Sequence, residues 1–109
     1  MFKIAPNPTF TADVKVSVPG QDAPAVLTLT FRHMGRKALK AWIEGAAARQ
    51  DAEFLDEAIE SWRGVENAAG DPVAYSREAL AELLDAYPAA GGEIFDAYLR
   101  ALTRAREKN

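Results

Sequence analysis

The sequence predicts an α+β fold: an N-terminal two-stranded antiparallel β-hairpin followed by about four α-helices, in a single domain. Three observations carry that prediction. Residues 9–32 hold two runs in which apolar and polar residues alternate. From Gly35 onward the apolar spacing becomes that of a helix. A chain of 109 residues is long enough for one core and short of a second.

In the first run Phe10, Ala12, Val14, Val16 and Val18 point one way, and Thr9, Thr11, Asp13, Lys15 and Ser17 the other. That period of two marks a half-buried strand. Pro19-Gly20 supplies turn chemistry, and the loop runs to about Pro24. The second run sets Ala25, Leu27, Leu29 and Phe31 against Val26, Thr28, Thr30 and Arg32. Residues 1–8, with Pro6 and Pro8, read as an extended arm, 9–32 as the hairpin and 36–106 as the helical part.

The first helix is expected over about 36–49, with Leu39, Trp42, Ile43, Ala46 and Ala47 on one stripe. Asp51 can cap a second, whose stripe is Phe54, Leu55, Ala58, Ile59 and Trp62. Gly64 suits the left-handed position that closes a helix, and Val65 after it can fold back on Ile59. Ser76 is a good N-cap for a third helix reaching about Ala86, and Tyr75 before it can staple onto Leu80. Pro88 discourages continuation. A fourth helix is expected over about 89–106, with Ile94, Phe95, Tyr98, Leu99 and Leu102 inward and a basic end that suits its dipole. A lone hairpin leaves strand edges unpaired, which can recruit a partner strand or a second copy.

The net charge of −3 hides strong blocks. Residues 31–50 carry Arg32, Arg36, Lys37, Lys40 and Arg49 against Glu44 alone, and residues 51–96 hold twelve acids against Arg63 and Arg77. The last thirteen residues turn basic again. Such blocks steer partners or copies of the same chain together, although solvated helix faces give the same pattern. A sequence pI near 5.1, with no aromatics among the cations, argues against nucleic acid. No run approaches the ~20 apolar residues of a membrane span. No signal-peptide core opens the chain, so an intracellular protein is expected.

Little in the chain suggests catalysis. There is no cysteine, and His33 is the only histidine, so cysteine chemistry and histidine-pair metal sites are excluded. Ser17, Ser61 and Ser76 lack a nucleophile-elbow context. Gly91-Gly92 has neither the preceding strand nor the Lys-Ser/Thr of a phosphate loop. The acids of residues 51–60 lack calcium-loop spacing. No enzyme activity, cofactor or small-molecule substrate is expected. The candidate partner-binding residues are the basic cluster Arg32, Arg36, Lys37 and Lys40, with Trp42 and Trp62 as anchors or core. Arg36 and Lys37 fall in a helix's first turn, where the dipole disfavours cations; local stability does not account for them.

The stretch Trp62-Arg63-Gly64-Val65, Gly70-Asp71-Pro72, Tyr75-Ser76 and Leu83-Leu84-Asp85-Ala86-Tyr87-Pro88 resembles the tail assembly chaperones of long-tailed bacteriophages. In that family a helix ends at Trp-x-Gly-Val, a Gly-x-Pro loop follows, and the next helix opens at an aromatic-Ser pair. The likeness extends from Pro8-Thr9-Phe10 through Trp42 and Phe54-Leu55 to the last helix with Tyr98. Ala69 departs from it, because an acid is expected before Gly70. The resemblance implies a non-catalytic protein of the host cytoplasm that binds the tape measure protein and keeps it soluble. It also implies help in recruiting tail tube protein, absence from the mature virion and, in many members, a longer frameshifted form. A small adaptor or regulatory protein with a single partner is the alternative.

Overall fold

The computed structural model describes residues 8–45 and 51–103. Strand β1 (Thr9–Val16) pairs antiparallel with β2 (Ala25–Arg32), in a register from Thr9 opposite Arg32 to Val16 opposite Ala25. Their connection turns at Val18-Pro19-Gly20-Gln21, where the Gln21 amide donates to the Val18 carbonyl over 3.1 Å. Proline sets the first central position and Gly20, at φ +85°, takes the second, the signature of a type II turn.

The two-stranded expectation needs correction. A third strand, β3 (Ile59–Arg63), pairs antiparallel with β2, so the sheet order is β1-β2-β3. The sequence assigns this segment to the second helix. That helix, α2 (Ala52–Asp56), stops after five residues. The physical reason is a β-bulge. Phe31 lies opposite Ile59 and Thr30 opposite Ser61, leaving Glu60 as the extra residue. In a regular strand Ile59 and Trp62 would face opposite ways; the bulge resets the phase, and both are buried. Three-residue spacing between buried side chains is also what a helix produces, hence the misreading.

Arg32 ends α2 from the neighbouring strand. Its Nη1 donates to the carbonyls of Asp56 at 3.0 Å and Ile59 at 2.8 Å, and its Nε meets Glu60 Oε1 at 3.0 Å. The Asp56 carbonyl, at the end of the helix, is thus satisfied by a cation of the sign the helix dipole favours. The N-cap reading holds: the Asp51 carboxylate accepts from the Phe54 amide at 2.9 Å.

Gly64 follows a strand, not a helix. Its φ is +90°, and a Cβ there would come within 3.4 Å of the Leu27 Cα. The chain then loops back on itself, the Val73 amide donating to the Val65 carbonyl at 2.8 Å. The Asn67 side chain accepts from the amides of Ala69 and Asp71, and Trp62 Nε1 donates to the Val73 carbonyl at 2.8 Å. Ala69 is exposed, so its departure from the family pattern falls on a solvent-facing side chain.

Helix α1 (Arg36–Glu44) follows β2, and α3 (Arg77–Ala86) and α4 (Ala90–Thr103) complete the chain. Ser76 caps α3 as expected, accepting from the Ala79 amide at 3.0 Å. Tyr75 sets its ring edge-on to Trp62, 5.1 Å between centroids, and its hydroxyl donates to Asp56. Arg77 reaches the same carboxylate at 3.3 Å. The expected arm before residue 8, Ala46, Ala47 and Arg49, and the basic residues after Thr103 lie outside the described residues.

One core joins the sheet to the helices: Val14, Val16, Leu27, Leu29, Phe31 and Ile59 from the strands, with Leu55, Leu80, Ile94 and Tyr98 from the helices. Tyr98 is fully buried against Phe31, 4.9 Å between ring centroids, and its hydroxyl donates to the Arg32 carbonyl at 2.7 Å. Burial pushes its phenol up to about 12, and burial with the Asp56 carboxylate raises Tyr75 as well. A raised phenol pKa means that the unfolded chain loses its proton first. The stabilisation is complete below pH ~10 and is lost as pH rises through about 12. Alkaline unfolding of wild type and Tyr98→Phe should show a shallower loss of stability in the variant across that window.

Candidate functional site

The six residues singled out by the sequence separate into two groups. Trp42 and Trp62 are core residues: they are 6% and 7% exposed, and each indole N–H is bonded to a backbone carbonyl, of Phe54 and Val73 respectively. Trp42 lies flat on Phe54, 4.3 Å between centroids and 3° between planes, and touches Phe95 and Tyr98. Arg32 is occupied by the end of α2 and by the bulge.

Arg36, Lys37 and Lys40 remain together on α1 and are exposed. Among the described residues none of the three forms an ion pair; the bridges there are Arg32–Glu60 and Arg77–Asp56. Helix α1 is an unusual host for them. Its N-cap is Gly35 with no side-chain cap, and no acid stands in its first turn. Two cations at that end oppose the dipole by about 0.3–1 kcal/mol each. Lys40 adds like-charge neighbours at three and four residues, costing a few tenths of a kcal/mol more, roughly. The helix is anchored by buried Trp42 and partly buried Leu39. Its outer face also presents Ala38, Ala41 and a 38% exposed Ile43.

A second surface was counted in the acidic block without being singled out. Glu78, Glu82 and Asp85 lie on one exposed face of α3, at spacings of four and three. Asp85 stands in the last turn, which has no basic residue, so here too a charge opposes its own dipole. That wrong-sign terminus was the available sequence signal.

β3 takes the far side of β2, so β1 and β3 are the sheet's two outer strands, and β1 keeps the edge that the hairpin predicts. The His33 amide donates to the Pro8 carbonyl, which fixes the ladder's phase and turns the backbone of Thr11, Asp13, Lys15 and Ser17 outward. Glu93 of α4 closes one end, accepting from both the amide and the hydroxyl of Ser17. Solvent-open grooves run beside this edge, lined by charges of both signs, including Asp13, Lys15, Glu93 and Arg100.

No group of three or more His, Asp or Glu among the described residues is placed to hold a metal ion. No helix there is long and apolar enough to cross a membrane. What the fold presents is surface: a basic helix face, an acidic helix face and a strand edge, the equipment of a protein that works by contact with other proteins. A family model described as phage tail assembly chaperone matches residues 1–109, and the chain belongs to that family. Phage tail proteins are thereby its class of partner. No curated protein and no solved structure matches the chain.

Proposed function

We propose that this chain binds the tape measure protein of a long-tailed phage, keeps that long helical client soluble in the host cytoplasm and assists assembly of the tail tube, without catalysis and without entering the virion. The family match over the whole chain carries the reading. The surface agrees with it: a long helical client calls for many weak, repeated contacts, and Arg36, Lys37 and Lys40 offer an exposed cationic face with no internal partner among the described residues. Trp42 anchors α1 to the core, while Arg32 holds the end of α2 and Trp62 the loop after β3. Tail tube protein is a further partner in the same reading.

Co-expression with the tape measure protein, followed by size-exclusion chromatography with light scattering, tests the proposal. Several copies should co-elute with a client that is insoluble alone. A client equally insoluble with and without this chain, and no co-elution, would replace the chaperone reading with that of a single-partner adaptor.

A further inference from the structure

We propose that the basic face of α1 docks on the acidic face of α3 from a second copy of this chain, the two helices antiparallel. The proposal rests on the reading of α1 as a partner surface and names the occupant of that surface. Four observations support this occupant. The charges are complementary, Arg36, Lys37 and Lys40 against Glu78, Glu82 and Asp85, and among the described residues neither set forms an ion pair within its own chain. Both sets repel internally along their own helices, so each gains from an opposite stripe. Each helix also carries, at one end, the charge its own dipole disfavours: cations at the start of α1 and Asp85 at the end of α3.

Geometry supplies the fourth. Antiparallel docking brings the start of α1 to the end of α3, so that Arg36 and Lys37 meet Asp85 while Lys40 meets the turn holding Glu82. The two mismatched termini then neutralise one another. Ala41 and Ala81, both exposed, allow close approach between the charged positions. Parallel docking would instead align like dipole ends, and Glu44 falls near an acid of α3 in either direction, Asp85 in the parallel one and Glu78 in the antiparallel. The basic stripe, about 6 Å from Arg36 to Lys40, is short enough to lie within the acidic one, about 10 Å from Glu78 to Asp85. Since α1 and α3 are different surfaces, a contact of this kind leaves a free α3 on one copy and a free α1 on the other. Unless two copies reciprocate, it propagates along a row.

The test is charge exchange, read by light scattering across a concentration series at low salt. Wild type should gain mass with concentration and lose it at 1 M salt, where screening reaches only about 3 Å. The triple reversals R36E/K37E/K40E and E78K/E82K/D85K should each stay at single-chain mass with unchanged circular dichroism. Mixed in equal amounts, they should associate again. A chain carrying all six reversals has the wild-type net charge and should also associate. Wild type at single-chain mass throughout would overturn the proposal, as would two reversals that fail to restore each other. Tape measure co-elution is measured separately. Its failure with self-association intact removes the client reading alone; its success with a monomeric wild type removes only the docking.

Discussion

Trp42→Ala should lower stability by about 3–5 kcal/mol, the range for emptying a buried Trp site. For a domain of this size that is a fall in melting midpoint of roughly 15 °C or more. The effect is large because one side chain does several things. The indole stacks flat on Phe54 at 4.3 Å, contacts Phe95 and Tyr98, and gives its N–H to the Phe54 carbonyl. It therefore joins α1 to α2 and α4 at once. Truncation leaves a cavity among aromatic rings and removes the indole bond to the Phe54 carbonyl, and both terms have the same sign. Trp42→Phe keeps a ring on Phe54 and should fall well short of that loss. Denaturant melts of the two variants, followed by circular dichroism, check the ordering. The functional consequence is separate from global stability. Below its melting point, Trp42→Ala should already have lost association, because Arg36, Lys37 and Lys40 are held in place through this residue. A Trp42→Ala protein that melts within 1 kcal/mol of wild type would mean that α1 has another anchor.

The two strands of the hairpin were legible because each keeps a strict period of two, with the Pro19-Gly20 turn between them. The N-caps at Asp51 and Ser76 were legible for a similar reason: a cap is a contact with a residue three positions on. What failed was non-local. Arg32 looks like one cation of a basic cluster until the carbonyls of Asp56 and Ile59, more than twenty residues away, are seen to claim it. Of that cluster, Arg36 and Lys37 stood out because they sit badly in their own helix, a judgement that needs only local physics. The acids of α3 stand out less, since Glu78 suits its end of the helix and only Asp85 does not. The third strand was hidden by its spacing. Phe54, Leu55, Ala58, Ile59 and Trp62 form a helical stripe, and the chain uses the first pair in a helix and the last pair in a strand.

Deleting Glu60 should leave the protein folded, and Glu60→Ala should cost less than about 1 kcal/mol. The substitution removes only a surface ion pair with Arg32, whose partners are 45% and 51% exposed, and exposed pairs contribute little. The deletion takes out the extra residue of the bulge. Ile59 and Trp62 then stand two positions apart, the spacing at which a regular strand turns both to one face. The pairs Phe31 with Ile59, Thr30 with Ser61 and Leu29 with Trp62 are all kept. Trp62 thus keeps its place in the core and its bond to the Val73 carbonyl. If Ile59–Trp62 were helical, deletion would instead rotate the following residues by about 100° and carry Trp62 off the buried stripe. Emptying that site would cost about 3–5 kcal/mol, and Glu60→Ala would slightly stabilise, because alanine is the better helix former. The pair of variants, compared by circular dichroism and urea melts, therefore distinguishes a bulged strand from a helix: an unfolded deletion variant together with a stabilised Glu60→Ala would rule the strand out.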